Sequence, residues 1–137
     1  MNDPAYGARK EVARVHRAFY DAIEALDIDA MERVWLDDER VQCVHPGWEL
    51  LIGRARVLEA WRAIFANTSE IHFELADLGI EIHGEIAWAT CVERIRSSAG
   101  DETLEAAAVA TNLFLLREGT WRLMLHHASP ILRREAD

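Results

Sequence analysis

Ile71-His72-Phe73-Glu74-Leu75 and, five residues on, Ile80-Glu81-Ile82-His83-Gly84-Glu85-Ile86 alternate apolar with polar side chains. A period of two is that of a strand with one buried face. The alternation continues, and the segments 71–83, 85–97, 104–117 and 120–131 read as four long strands. Gly84, Gly100 and Gly119 supply the turns between them. Strands joined by turns this short run antiparallel, so the second half of the chain is a meander.

Upstream the period changes to that of a helix. Asp3-Pro4 reads as an N-cap with proline at the first helical position. Val12, Val15, Phe19, Ile23 and Leu26 then mark one helical face. Asp27 is expected to cap a short helix carrying Ile28, Met31, Val34 and Trp35. Val41–Val44 reads as a short strand, stopped by the turn His45-Pro46-Gly47. After Trp48–Ile52, Gly53 opens a third helix with Val57, Leu58, Trp61, Ile64 and Phe65 on one face. Helices followed by an antiparallel sheet define an α+β fold with helices on one sheet face.

The 137 residues suit one domain spanning 1–137. The first five residues and Arg133–Asp137 are expected to be disordered. Half the residues are hydrophobic and 28% are charged, the profile of a soluble globular chain. Acidic residues outnumber basic ones 24 to 15, for a net charge of −9, which argues against a nucleic-acid partner. No apolar run nears the roughly 18 residues of a membrane span. The N-terminus lacks the basic and apolar regions of a secretion signal, so no membrane partner and a cytoplasmic location are expected. Cys43 and Cys91, far apart in apolar surroundings, read as buried free thiols.

A strongly twisted sheet curls, and helices laid over its open side leave a cavity. Small and polar residues stand where a solid core would carry bulk: Ala106, Ala107, Ala108, Ala110, Thr111 and Asn112 on one strand, His126, His127 and Ser129 on the next. The expected ligand is a small apolar or amphipathic molecule.

The order of elements, with Val44-His45-Pro46-Gly47-Trp48, Gly53-Arg54 ahead of Trp61, and His126-His127-Ala128-Ser129, resembles the SnoaL-like branch of the NTF2-like superfamily. The resemblance runs from about Ala8 to Leu132. It implies a cone of three helices over a curved, mainly antiparallel sheet, and a homodimer formed through the sheet's outer face. Enzymes of this superfamily include ketosteroid isomerase, scytalone dehydratase, limonene epoxide hydrolase and polyketide cyclases; other members have no known activity.

By the same resemblance His45 falls where the isomerases hold a proton-moving aspartate. Imidazole suits that task near neutral pH. The alternative is a structural histidine whose ring fixes the Pro46-Gly47 turn. Asn112 aligns with a position that donates to a developing oxyanion, and an amide donates there without any pKa shift. The alternative is a cross-strand partner. His126 and His127 face opposite sides of their strand; alignment favours His126 inward, beside Met124, and His127 outward. The candidate catalytic set is therefore His45, Asn112 and His126. Trp48, Tyr20, Phe19, Trp61, Trp88 and Met124 are the candidate ligand contacts, although aromatic residues on helices also serve plain cores. The isomerases' helical tyrosine falls on Phe19, with Tyr20 one step off its face, which weakens a steroid-isomerase reading.

His45, His126 and Glu49 lack the spacing of a metal site, and no HExxH is present. No metal and no cofactor are expected. The reading is acid–base chemistry of isomerase, dehydratase or cyclase type on a small apolar carbonyl or polyketide-like compound. The alternatives are a non-catalytic ligand-binding module and a dimerising scaffold.

Overall fold

The computed structural model describes residues 4–132, so Asp3 of the expected cap, residues 1–3 of the expected disordered start and the whole expected tail Arg133–Asp137 lie outside the described residues, whereas Pro4 and Ala5, also expected to be disordered, begin the first helix. Helix α1, Pro4–Glu24, is followed by α2, Ile28–Val34, whose N-cap Asp27 accepts a hydrogen bond from the Ala30 amide. Strand β1, Gln42–Val44, and β2, Leu51–Ile52, precede α3, Arg54–Ala66. Gly53 caps α3 at φ +102°, a conformation that disfavours any side chain. The meander comprises β3, Glu70–His83; β4, Ile86–Ala99; β5, Glu102–Arg117; and β6, Thr120–Pro130. Its bounds lie within two residues of those expected from alternation. Only the last two residues of Trp48–Ile52 are strand, and Val41 precedes β1.

The six strands form one sheet in the order β2-β1-β6-β5-β4-β3. All neighbours are antiparallel except β1 and β6, which pair in parallel with Cys43 opposite His126. The architecture is three helices over a curved, unclosed, mainly antiparallel sheet.

Alternation sorts the inner face. Ala87, Ala89, Cys91 and Glu93 of β4 are buried, as are Ala108, Ala110, Asn112 and Phe114 of β5. Register places Glu93 opposite Ala108, Cys91 opposite Ala110, and Ala89 opposite Asn112. In β6 the register slips between Leu113 and Phe114, so that Leu125 and Leu123 face them and Met124 is the extra residue of a bulge. The bulge reverses the strand's parity: Trp121 and Leu123 are buried before it, His126 and Ala128 after it.

The expected hollow beneath the alanines of β5 is occupied. Over Ala108 and Ala110 lie Tyr20 of α1 and the side chains of Cys91 and Glu93, while Ala106 is exposed near the strand's start. Helix α1 buries Val12, His16, Phe19, Tyr20, Ala22 and Ile23, an arc wider than one stripe because α1 contacts both β3 and α2. Tyr20 thus lies on the buried arc rather than off it.

Candidate active site

Asn112 stands mid-strand on β5, under α1 and beside β6. Its Oδ1 is 2.6 Å from Nδ1 of His126. Its Nδ2 is 3.1 Å from the Tyr20 hydroxyl and 3.0 Å from Nε2 of His16. The Tyr20 hydroxyl donates in turn to Glu93 Oε2 at 2.6 Å, with Cys91 Sγ 3.7 Å away. All these residues are buried.

Donor and acceptor capacities fix the direction of each bond. An ionised Glu93 only accepts, so Tyr20 donates to it. The phenol oxygen then accepts one Asn112 hydrogen, and His16 Nε2 accepts the other. Oδ1 of Asn112 accepts from His126 Nδ1–H. His126 is therefore the neutral Nδ1–H tautomer, and its Nε2, which makes no hydrogen bond among the described residues, holds a free lone pair.

His126 sits in an aromatic enclosure. Its ring centroid lies 4.8 Å from Phe19, 6.2 Å from Trp61 and 6.2 Å from His45. His45 packs edge-on against Trp61 at 4.5 Å and Trp48 at 4.7 Å. The Trp48 amide donates to the His45 carbonyl at 2.9 Å, closing the turn over Pro46 and Gly47. That closure is backbone to backbone and does not use the imidazole. The His45 ring's recorded contact is Nε2 to Cys43 Sγ at 3.6 Å. Trp61 is buried, and its indole N–H has no partner among the described residues. An orphaned buried donor costs about 1–3 kcal/mol and marks a place where a ligand oxygen is welcome.

Burial sets the protonation states. Desolvation lowers the His16 pKa to about 4, with Arg17 adding to the effect. Burial alone lowers His45 to about 4. Burial, then the neighbouring His45, His16 and His127, hold His126 well below the ordinary imidazole value. All three rings are neutral at pH 7. Glu93 moves the other way: burial raises its carboxyl to about 7, against the opposing Tyr20 hydrogen bond. Burial raises the Cys91 thiol to about 11 and pushes Tyr20 and Cys43 higher still. Both thiols are free and buried.

The fold thus gathers His45, Asn112, His126, Tyr20, Phe19 and Trp61, with Trp48 at their edge. Two candidate contacts lie elsewhere. Trp88 is on the outer sheet face, because its neighbours Ala87 and Ala89 take the inner one. Met124 is half-buried at the β6 bulge, where it packs against the edge of the core and makes no hydrogen bond to the polar chain among the described residues. His127 is exposed on the outer face. His16 and Glu93 were missed, although both carried a signal. Glu93 continues the inward series Ala87, Ala89, Cys91, and His16 follows Val12 by one helical turn.

Trp48 is 46% exposed and borders a shallow depression of about 270 Å³ with Ala63, Ile64, Asn67 and Thr68. A larger open groove of about 1040 Å³ lies on the outer face among His72, Glu74, Arg94, Arg96, Glu105 and Ile131, remote from His126. Among the described residues, no group of three or more His, Cys, Asp or Glu side chains is arranged to hold a metal ion. Nor is any described helix long and apolar enough to cross a membrane.

A family model described as a SnoaL-like domain matches residues 12–133. The chain is 38% identical to a candidate dehydratase of the NTF2-like family from Streptomyces avermitilis. The match covers 90% of this chain and 96% of that one, with a TM-score of 0.85. It is 33% identical to a candidate calcium/calmodulin-dependent protein kinase type II association domain from Thiobacillus denitrificans, covering 86% and 93% with a TM-score of 0.73. It is also 26% identical over 127 residues to the F-box protein SKIP8 of Arabidopsis thaliana. That match takes in 93% of this chain but 52% of the relative, so the chain spans about half the length of that protein.

Proposed function

The chain belongs to the SnoaL-like family of the NTF2-like superfamily, and from that premise we propose that it catalyses proton transfer on a small, uncharged, apolar carbonyl compound. The reaction type is isomerisation, dehydration or cyclisation. The observation that carries this reading is the bonded chain ending at His126: its Nδ1 is committed to Asn112, its Nε2 makes no hydrogen bond among the described residues, and the ring of Trp61, whose N–H is likewise unpartnered among them, lies 6.2 Å away centroid to centroid.

The roles follow from that chemistry. His126 Nε2 takes the proton α to the carbonyl. The Trp61 N–H meets the carbonyl oxygen as it gains charge, which is worth most where water is excluded. The imidazolium of His126 then returns that proton at a second position of the substrate and is neutral again, with the neutral His45 ring 6.2 Å away completing the enclosure. Asn112 positions His126 rather than binding the oxyanion, because both its amide hydrogens are already engaged. Phe19 and Trp61 hold the apolar part of the substrate. Trp48, half-exposed over His45, swings out to admit it. The neutral rings disfavour a charged substrate, since a lone ion would have no counter-charge there.

The S. avermitilis relative's description as a candidate dehydratase is consistent with this class. The test is deuterium exchange at the α-carbon of a small ketone in D2O, comparing wild type with His126→Gln. General-base catalysis contributes about 10²–10⁴-fold, so the variant should lose at least about 10²-fold in rate. Equal rates would end the assignment.

A second reading, a non-catalytic carrier of an apolar molecule, is favoured by the depression beside Trp48. It predicts that Trp48 fluorescence responds to an apolar ligand that is never converted. We further propose that the outer sheet face, with Trp88 and Val109 uncovered, pairs two copies of the chain.

A further inference from the structure

We propose that Glu93, three hydrogen bonds away from His126, is a positioning residue that decides which imidazole nitrogen of His126 carries the proton. The proposal rests on the reading of His126 as the proton-transfer group, and it deepens that reading by naming what controls the group.

The chain Glu93–Tyr20–Asn112–His126 has spacings of 2.6, 3.1 and 2.6 Å, and each junction tolerates one hydrogen. Two hydrogens or two lone pairs facing each other at such distances would leave buried groups unsatisfied. Two polarities of the whole chain avoid this while giving every hydrogen a nitrogen or oxygen acceptor. With Glu93 ionised, every hydrogen points toward the carboxylate, and His126 is bare at Nε2, ready to accept.

With Glu93 protonated, the carboxyl O–H donates to the Tyr20 oxygen, and the phenol hydrogen turns to Asn112. The amide then rotates by half a turn. Its Oδ1 accepts from Tyr20 and from His16, now protonated at Nε2, and its Nδ2 donates to His126 Nδ1. His126 must then carry its hydrogen on Nε2, ready to deliver. Glu93 gains one proton from solvent, and each imidazole exchanges its own hydrogen with solvent and stays neutral. Cys91 Sγ, at 3.7 Å, offers the phenol only a weak alternative acceptor.

Glu93 is also the group of the cluster that titrates in the working range. Tyr20 of α1 bonds it directly, and the titratable groups of Cys91 on β4 and Cys43 on β1 feel its charge, while His16 of α1, Asn112 of β5 and His126 of β6 are linked to it through the Tyr20 hydroxyl. Its register partners Leu75 and Ala108 are apolar. No Lys or Arg pairs with it among the described residues. His16 and His45 change charge near pH 4 and Cys91 near 11, whereas Glu93 does so near 7. A device of this kind would let one imidazole serve as base or acid within a narrow span of pH.

The test is long-range proton–nitrogen NMR of the histidine rings in the uniformly labelled full chain, at about pH 5.5 and pH 8.5. The proton-bearing nitrogen of His126 should be Nδ1 at the higher pH and Nε2 at the lower. In Glu93→Gln it should not change with pH, nor in Tyr20→Phe, which severs the link by a different route. The same His126 tautomer at both pH values in wild type would overturn the proposal, as would a swap that persists in either variant. The readout is independent of turnover, so a protein that swaps tautomers yet exchanges no ketone protons would sink only the catalytic reading.

Discussion

Glu93 is the residue on which the energetics of the interior turn. Its folded-state pKa, about 7, lies above the carboxyl's ordinary 4.5, so the folded chain holds the proton more tightly than the unfolded chain does. Its stabilising contribution is therefore complete below about pH 4.5 and is lost as pH rises through about 7. The difference corresponds to about 3 kcal/mol. Glu93→Gln, which never ionises, should melt above wild type at pH 8, with the gain shrinking toward pH 5; a difference independent of pH would contradict this. His16 and His45 act in the opposite sense. Their lowered values give a contribution that is present above about 6.5 and lost as pH falls toward 4. Asn112 and His126 were legible as candidates because polar residues interrupted an apolar strand. Glu93 carried only the weaker signal of its place in the inward series Ala87, Ala89, Cys91, because an acid on a half-buried strand is ordinarily solvated, and only its partner Tyr20 makes its burial tolerable.

At the scale of elements, periodicity carried far but stopped at irregularities. Alternation from Ile71 located the four long strands to within two residues, and Gly53 announced α3. Gly53 at φ +102° and ψ 141° holds an extended conformation that side chains strain against: Gly53→Ala should cost about 1–3 kcal/mol, read by urea unfolding with tryptophan fluorescence. An unchanged midpoint would mean that the helix start relaxes. The bulge at Met124 was not legible, since one extra residue leaves no mark in composition. Yet it allows Trp121, Leu123 and His126 all to face inward; without it, strict alternation from Trp121 would turn His126 outward. The parallel pairing of β1 with β6 was likewise invisible, because it joins segments 83 positions apart. It sets Cys43 against His126 and so delivers His45 to the same enclosure.

For the whole molecule, the family resemblance anticipated the helical layer and the curved sheet, but the interior is fuller than small residues suggested. Space over the alanines of β5 is taken by α1 and by the carboxyl of a neighbouring strand, so the polar groups meet one another rather than an open cavity. The outer face is the complement: Trp88 is 37% and Val109 45% exposed, on either side of the paired Thr90 and Thr111, and the proposed pairing of two copies would cover both. Val109→Glu should shift the mass seen by light scattering from dimer to monomer without unfolding the chain. A wild-type protein that is already monomeric would refute the pairing.

The central claim is that the enclosure of His45, Trp61 and His126 handles protons on a neutral carbonyl substrate. The most direct measurement is the rate at which wild-type protein exchanges the α-protons of a small ketone in D2O at pH 7.5. The account predicts exchange well above the buffer rate, reduced in Trp61→Phe as well as in His126→Gln. Exchange no faster than buffer alone, across ketones small enough to pass Trp48, would contradict it.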